Sequence, residues 1–439
     1  MGDFLEKRFG VHAAGSSVRT EILAGIATFL AMAYIVFVNP DILSKAGMNF
    51  DAVFVATCLA AAIGTALMGV LANKPIALAP GMGLNAFFAF AVVPAAGGSW
   101  QIALACVFIS GVLFFLLSVT PFREWLINTI PADLKYGIAA GIGLFLAIIG
   151  LRGAGLVGDH PATLVTLGDL SSMTTLLACA GFLVIAVLHT LRVPGAIIIG
   201  VLGVTVAAVL MGLQKFGGIA SLPPSISPTL FQLDVMGTVL DAGGALKLTF
   251  LTIIFTFLLV DLLDTAGTLI AVSEHGDMLD ENGKVENLRP ALIADSGSTV
   301  IGALLGTSTT TSYIESAAGI NEGGRTGLTA VVVAILFLLA LFFAPLAGTV
   351  PSYATAPALV FVAALMASGL GKMQWSDPTD YVPAVLTAVM MPFTYSIATG
   401  IGIGFVAHTL LKLITGKVTE INPAVALIAA FFIASQYFG

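Results

Sequence analysis

Long apolar runs separated by short polar stretches dominate this chain. An α-helix needs about 20 residues to cross a bilayer. Runs near that length predict helices over 21–38, 52–72, 100–120, 131–151, 173–191, 194–213, 246–272, 291–305, 327–349, 352–371, 381–395 and 397–416. Two further stretches, 75–93 and 306–322, are short and broken. We therefore predict an all-α polytopic protein with fourteen transmembrane segments. An additional apolar run at 421–438 either spans the membrane or lies along its interface.

The composition agrees with this pattern. Of the 439 residues, 58% are hydrophobic and only 9% are charged, whereas soluble domains carry about 25% charged residues. A soluble enzyme, a nucleic-acid-binding protein and a disordered protein are thereby excluded. Residues 1–20 hold Lys7, Arg8 and Arg19 but no apolar stretch, so no cleavable signal peptide is expected. The three cysteines are too few and too apolar in context for a disulfide framework.

The positions of Lys and Arg predict the orientation. With a cytoplasmic N-terminus and alternating crossings, only Lys45, Arg152, Lys215 and Lys247 of the 17 basic residues fall outside. The remainder, Arg123 and Lys284 among them, fall on the cytoplasmic side, as the positive-inside rule expects. We predict a multi-pass protein of the cell (inner) membrane with its N-terminus in the cytoplasm.

Short stretches in the first half of the chain resemble stretches in the second half, and they follow in the same order. Residues 28–30 resemble 256–258, and residues 64–71 resemble 297–304. Two repeats of seven segments must have opposite orientations, because seven is odd; such inverted repeats are typical of secondary transporters. The predicted divisions are a cytoplasmic N-terminus (1–20), a first repeat (21–215), an extracytoplasmic linker (216–245), a second repeat (246–416) and a C-terminal apolar segment (417–439).

The broken third and tenth segments are the expected place for a binding site. In the third, Pro80-Gly81-Met82-Gly83 interrupts the chain before Asn85. In the tenth, a hydroxyl-rich run at 307–312 precedes Glu315. Irregular backbone at membrane depth persists only where it is buried in protein or lines a cavity. The hydroxyl run has a second interpretation, since Ser and Thr side chains can simply satisfy freed backbone groups.

The eighth segment carries two carboxylates in an apolar run. Asp261 and Asp264 are three residues apart and so share one helical face, which Thr265 and Thr268 extend. A charged Asp at the bilayer centre costs about 2.5–3.5 kcal/mol on insertion scales, which favours a functional role. The alternative is a helix-packing or helix-end role.

Three more polar residues have both a functional and a structural interpretation. Glu315 could bind a ligand or only satisfy a helix N-terminus. Asn85 could bind a ligand or join two helices as a buried amide. Asp295, in the ninth segment, could be a functional or a structural buried acid.

The chemistry of these groups limits the ligand. Carboxylates accept N–H donors, an amide both donates and accepts, and helix N-termini offer N–H groups. A flat heterocycle with alternating donors and acceptors fits, and Phe87, Phe88 or Tyr313 could stack on it. An anion fits poorly because Asp261 and Glu315 would repel it. From the residues alone we predict a transporter of a small polar, neutral solute, with one carboxylate carrying a coupling proton.

Three motifs carry a resemblance to a known family. Residues 79–88 (APGMGLNAFF), 260–268 (VDLLDTAGT) and 306–316 (GTSTTTSYIES) resemble those of the AzgA-like purine nucleobase permeases, a branch of the nucleobase–ascorbate transporter superfamily, with bacterial guanine/hypoxanthine permeases as the nearest match. The likeness runs from about Arg19 to Lys417 and includes residues 34–40 and 323–330.

The resemblance implies a core domain (21–120 and 246–349) that moves like an elevator against a gate domain (121–215 and 350–416), in a homodimer embedded in lipid. It implies uptake of hypoxanthine, guanine or adenine, with protons rather than sodium as the coupling ion and no cofactor, catalytic residue or metal. By motif position, the residues expected to bind or support the purine are Asp261, Glu315, Asn85 and Thr265, with backbone near Phe87 and Ile314. Those expected to serve coupling are Asp264, Asp261 and Glu315. The superfamily plan ends at the fourteenth segment, so 421–438 departs from it.

Other functions explain the pattern less well. An anion exchanger, or a carrier of another small solute on the same fold, is the main alternative, but an exchanger would favour a neutral or basic residue at Glu315. A membrane aspartyl protease needs its two Asp residues on different helices, whereas Asp261 and Asp264 share one. The chain has no His-Glu-x-x-His metal motif. A channel would not need two broken segments with carboxylates.

Overall fold

The structure is a computed structural model that describes residues 2–120, 130–239, 248–276, 278 and 287–438. Arg123, Lys247 and Lys284, which enter the charge argument, lie outside the described residues. The predicted domain boundaries at residues 121 and 245 fall outside them as well.

Helices form most of the described chain, with two short strand pairs among them. The first half contains α1 (Gly2–Phe9), α2 (Val18–Met32), α3 (Ile35–Ser44), α4 (Phe50–Leu67), β1 (Leu78–Pro80), α5 (Met82–Phe87), α6 (Val93–Ala95), α7 (Trp100–Ser118), α8 (Ala132–Gly153), β2 (Val157–His160), β3 (Leu164–Leu167), α9 (Met173–Thr190), α10 (Ala196–Leu210) and α11 (Val235–Val239). Single π-helical turns extend α4 over Met68–Ala72 and join α5 to α6 over Phe88–Val92.

The second half contains α12 (Leu248–His275), α13 (Leu288–Leu305), β4 (Thr310–Ser312), α14 (Ser316–Asn321), α15 (Gly327–Ala340), α16 (Ala344–Thr349), α17 (Ser352–Ala367), α18 (Pro378–Thr394), α19 (Ile397–Ile414) and α20 (Pro423–Phe438). Short 3₁₀ turns follow α15 and α17 and precede α20, at Leu341–Phe343, Ser368–Lys372 and Val418–Glu420.

The lengths and apolar surfaces of the helices identify a multi-pass membrane protein. Nine helices within the described ranges are long and apolar enough to cross a bilayer. Three shorter apolar helices cover Met82–Ala95, Ala196–Leu210 and Pro423–Ala434. Many large apolar side chains on these helices are exposed, such as Leu183 and Val206, as expected of surfaces that face lipid.

The helices pack in two groups. In one, α13 packs on α4 and α7, and α15 packs on α2 and α4. In the other, α8 packs on α17 and α18, and α17 also packs on α9 and α10. The helix α20 contacts α19 of the second group and α12 of the first. Whether the two groups move against each other stays a prediction.

The polar stretch after α8 contains a hairpin that the search for apolar runs missed. Strands β2 and β3 pair antiparallel, with Val157 opposite Leu167 and His160 opposite Leu164. Each strand has only four residues, and β3 is exposed along its length. A short exposed strand leaves no apolar run in the sequence, which is why this element was not predicted.

A cluster of charges ties the segment before α20 to the ends of α18 and α19. Lys412 is buried and its Nζ lies 2.9 Å from Asp380 Oδ1 and 2.6 Å from Glu420 Oε2. Lys417 pairs with Asp377. These lysines lower the pKa values of Asp377 and Glu420, through hydrogen bonds from Lys417 and Lys412 respectively. The three carboxylates lie close together, and each of them pairs with one of the two lysines.

Glu21 is a buried carboxylate that caps a helix from a distant part of the chain. Its Oε2 accepts hydrogen bonds from Thr329 Oγ1 at 2.6 Å and from Thr329 N at 3.2 Å, and its Oε1 accepts from Arg325 N at 2.9 Å. Thr329 stands in the first turn of α15 and Arg325 just before the helix, where backbone N–H groups have no partner within the helix. Glu21 is fully buried, so it joins α2 to α15.

We predict that Glu21→Ala lowers the free energy of unfolding by about 3 kcal/mol, because buried donors lose a charged acceptor. The apparent melting temperature in detergent measures the loss. Glu322→Ala, at an exposed position, is the matched control and should change little. Equal melting temperatures for the two variants would show that Glu21 does not hold α15.

Candidate functional site

The centre of the molecule is a two-stranded antiparallel sheet between distant segments. Leu78 lies opposite Ser312, Ala79 opposite Thr311 and Pro80 opposite Thr310. Every residue of both strands is buried. The third and tenth apolar stretches therefore each contain a strand followed by a helix, α5 and α14, instead of one continuous helix.

Hydroxyl side chains satisfy the backbone around this sheet. Thr65 Oγ1 donates to Leu78 O and accepts from Leu78 N, each at 2.9 Å. Thr299 Oγ1 donates to Thr310 O at 2.8 Å. Ser316 Oγ accepts from Ala77 N at 3.0 Å. Side chains of the neighbouring α4, α13 and α14 thus replace the partners that water would otherwise provide.

Asp264 and Glu315 meet in one cavity beside the sheet. The cavity has a volume of about 100 Å³, which limits an occupant to a small molecule. Backbone and side chains of residues 81–84 and 311–315 line it, together with Thr268. Tyr34 also lines it, and its hydroxyl donates to Glu315 Oε1 at 2.6 Å. Two carboxylates, a phenol and irregular backbone therefore face the same space.

The opposite wall of this cavity comes from the second helix group. Ile142 of α8 and Val362 and Met366 of α17 line it. The approach is close at Gly83, where an added Cβ would collide with the Ile142 side chain. The cavity therefore lies at the junction of the two helix groups.

Asp261 lies near the sheet but not in the cavity. It is 2% exposed, and its Oδ2 lies 3.1 Å from Thr299 Oγ1, whose single proton is shared with Thr310 O. Its Oδ1 has no hydrogen-bond partner in the described part of the chain. Asp261 and Asp264 thus face different surroundings although they share a helix.

Asp295 and Thr265 form a second polar group on the far side of β4. Asp295 Oδ2 accepts from Thr265 Oγ1 at 2.7 Å, and Oδ1 accepts from Ser312 Oγ at 2.9 Å. All three side chains are buried. Asp295 therefore fixes β4 to α12 and α13.

Asn85 and Phe87 also lie outside the cavity. Asn85 is fully buried; its Oδ1 accepts from Ser308 Oγ, and its Nδ2 donates to Pro80 O at 3.4 Å. Phe87 packs edge-to-face on Phe257, with ring centroids 5.1 Å apart. Of the residues predicted for the site, the structure brings Asp264, Glu315, Ile314 and Tyr313 to one cavity. Asp261, Asn85, Thr265 and Phe87 lie outside it.

A second, larger cavity of about 310 Å³ lies beyond Phe87. Phe87, Val92, Ile253, Thr399 and Phe432 are among its lining residues, so it touches α12, α19 and α20. None of the carboxylates predicted for the site lines it. We place the candidate site in the smaller cavity because the ionisable groups converge there.

Several site residues were not identified from the sequence. Tyr34 lies within residues 34–40, and Thr65 and Thr299 lie within the matching stretches 64–71 and 297–304, but the sequence assigns none of them a role. Tyr and Thr in apolar helices give no local signal, and these act through partners more than ten residues away. The one available signal is a hydroxyl residue at a buried position of an otherwise apolar helix.

Comparison with known proteins identifies the family. The Xan_ur_permease model, described as Permease family, matches residues 19–433. The chain belongs to this permease family. It is 46% identical to the adenine permease AdeP of Escherichia coli over 99% of this chain and 96% of that protein. It is 47% identical to the guanine/hypoxanthine permease PbuG of Bacillus subtilis over 93% of this chain and 94% of that protein.

These matches confirm the resemblance seen in the three motifs. The relatives are permeases, not enzymes, and they include both adenine and guanine/hypoxanthine permeases. The prediction of a membrane transport protein therefore agrees with the family, and the likeness does not separate one purine from another.

Solved structures show where the fold recurs. The transmembrane domain of a cyanobacterial bicarbonate transporter, BicA, superposes with a TM-score of 0.66 at 16% identity, over 87% of this chain and 96% of that one. Murine Slc26a9, an anion transporter, superposes with a TM-score of 0.62 at 11% identity, over 94% of this chain and 72% of that one. At such identities the likeness describes the fold alone.

We predict that Asp295→Ala lowers the free energy of unfolding by about 3 kcal/mol, because two buried hydroxyls lose their acceptor. Asp295→Asn, which keeps one acceptor oxygen, should lose less. Apparent melting temperatures in detergent measure the order. Asp159→Ala removes an exposed ion pair with Arg152 and is the control. A loss no larger than that of Asp159→Ala would contradict the role given to Asp295.

Proposed function

We propose that this protein takes up purine nucleobases, such as hypoxanthine, guanine or adenine, across the cell membrane by proton symport. The observation that carries the proposal is the convergence of Asp264 and Glu315 in one small cavity, in a chain that is 39–47% identical to adenine and guanine/hypoxanthine permeases over nearly its full length. Two carboxylates in the cavity argue against an anion as the transported solute.

The proposal extends to the architecture. Fourteen segments in two inverted repeats would form a core and a gate domain, in a homodimer of the inner membrane with a cytoplasmic N-terminus. The core would carry the cavity past the gate in an elevator-like movement. This is supported by the position of the cavity between the two helix groups, with Asp264 and Glu315 on one wall and Ile142, Val362 and Met366 on the other.

The geometry suggests a role for each carboxylate. Glu315 Oε1 accepts from Tyr34, which orients the carboxylate and leaves Oε2 for an N–H group of the purine. Asp264 would bind a second edge of the base, since it lines the same cavity. Asp261 would carry the coupling proton, because it is buried behind the cavity and one of its oxygens lacks a partner among described residues. Asn85 and Thr265 would support the surrounding backbone.

We predict that Glu315→Gln raises the KM for purine uptake at least tenfold. A hydrogen bond to a charged group contributes about 1.5–3 kcal/mol, and about 1.4 kcal/mol corresponds to a factor of ten. The measurement is uptake of radiolabelled hypoxanthine by a host deficient in purine uptake, with adenine, guanine, xanthine and uracil as competitors.

Glu322→Gln is the matched control for this variant, because it changes an exposed glutamate at the end of the same short helix, α14. It should leave uptake unchanged. Wild-type uptake that no nucleobase competes with would overturn the proposed substrate. An unchanged KM in Glu315→Gln would remove Glu315 from the site.

We predict that Asp264→Asn and Asp261→Asn have different effects. Asp264→Asn should raise KM about tenfold, because it weakens a contact with the base. Asp261→Asn should leave KM within about twofold but lower the maximal rate and remove its dependence on a proton gradient. Uptake into proteoliposomes, with and without an uncoupler, measures both. If Asp261→Asn raised KM and Asp264→Asn removed the dependence on a proton gradient, the two roles would be exchanged. Wild-type uptake that an uncoupler does not change would refute proton symport.

A further inference from the structure

Asp41 joins the two helix groups outside the cavity of the candidate site. Ser352 Oγ donates to Asp41 Oδ1 at 2.6 Å, and Thr355 Oγ1 donates to Asp41 Oδ2 at 3.1 Å. Lys45 Nζ lies 3.0 Å from Asp41 Oδ2, one turn further along the same helix. The Asp41 side chain is only 14% exposed. The contact is therefore a largely buried, charge-assisted link.

This link supplies a negative charge at the first turn of α17, which has no side-chain cap of its own. The residue before the helix is Pro351, which makes no side-chain capping bond. Backbone N–H groups at a helix N-terminus favour a nearby negative charge. Asp41 brings that charge from α3, and the hydroxyls of the first helical turn hold its carboxylate in place.

The two helices belong to different groups. Helix α3 packs mainly on α4 and α5, whereas α17 packs mainly on α8, α9 and α10, and α3 and α17 meet at only a few positions. Val362 and Met366, further along α17, line the cavity that holds Asp264 and Glu315. One end of α17 is therefore fixed by Asp41 while its other half forms a wall of the site.

We propose that Asp41, Ser352 and Thr355 form a latch that holds the core and gate domains together at their extracytoplasmic ends and closes the cavity on that side. The inference rests on the proposed transport function and on a cytoplasmic N-terminus. Movement of the core past the gate breaks both hydrogen bonds. Lys45 lies on the same helix as Asp41, so it keeps the carboxylate paired when the latch opens.

The two hydroxyls contribute unequally. Ser352 makes the shorter bond, and its hydroxyl donates to Asp41 alone among the contacts described. Thr355 Oγ1 also lies 2.9 Å from Ser352 O, so its single proton is shared between two acceptors. Loss of the Ser352 hydroxyl should therefore open the latch more than loss of the Thr355 hydroxyl.

The test measures access to the cavity and needs no purine. Ile314 lines the cavity and is 56% exposed, so Ile314→Cys in a background with Cys58, Cys106 and Cys179 replaced by Ala provides a reporter thiol. A membrane-impermeant maleimide is applied to intact cells, and separately to inside-out vesicles. The rate of labelling from each side reports which side the cavity opens to.

We expect Ser352→Ala to raise the labelling rate from outside about tenfold, the effect of losing one charge-assisted hydrogen bond. Thr355→Val should raise it less, and Ser352→Thr, which keeps the hydroxyl, should restore the original rate. The matched control is Ser368→Ala, because this hydroxyl near the other end of α17 bonds only to Leu365 O of its own helix among the contacts described.

Unchanged external labelling in well-folded Ser352→Ala and Thr355→Val would overturn the latch. An equal rise of the external labelling rate in Ser368→Ala would also overturn it, because loss of any hydroxyl of this segment would then open the cavity. Purine uptake by the wild type separates the two proposals. Shifted labelling without purine uptake would keep the latch and reject the substrate, whereas purine uptake with unshifted labelling would reject the latch alone.

Discussion

The pairing of β1 with β4 is the contact on which the rest of the structure depends. A transmembrane helix satisfies its own backbone, but a strand within the bilayer exposes N–H and C=O groups that lipid cannot satisfy. Here two segments more than 200 residues apart satisfy one another, with Leu78 opposite Ser312. Hydroxyls of Thr65 and Thr299 complete the outer edges. Hydroxyls of the run at 307–312 instead bond to buried polar side chains beside the sheet, as Ser308 does to Asn85 and Ser312 to Asp295.

The same pairing positions the ionisable groups. The chain that follows each strand turns into the cavity, which brings residues 81–84 beside Glu315. Asp295 holds β4 from behind through Ser312 and Thr265. Asp264 then faces the cavity from α12. A carboxylate in this space is surrounded by fixed dipoles and hydroxyls, which makes it suited to recognising the N–H edge of a flat solute.

Much of this arrangement follows from the sequence and some of it does not. Apolar runs near 20 residues located the long helices. The Pro-Gly break at residue 80 and the hydroxyl run located the two interruptions, because both features oppose a continuous helix, but the strands that form there were not predicted. The three-residue spacing of Asp261 and Asp264 placed them on one face, yet only Asp264 reaches the cavity. Two residues on one helical face can still contact different neighbours. Which of the two carboxylates reaches the cavity therefore depends on the positions of Thr299 and the strands, which the spacing does not give. The links of Tyr34 to Glu315 and of Asp41 to Ser352 join residues about 300 positions apart, and no local pattern predicts them.

A structure of the purified protein determined by electron cryo-microscopy with saturating hypoxanthine, and again with adenine, tests the central claim most directly. The account predicts one ordered base in the cavity between residues 81–84 and Glu315, with a ring N–H group about 3 Å from the Glu315 carboxylate and Asp264 on the same ligand. A base ordered instead in the larger cavity beside Phe87 and Phe432, or no ordered base at saturating concentration, would contradict it.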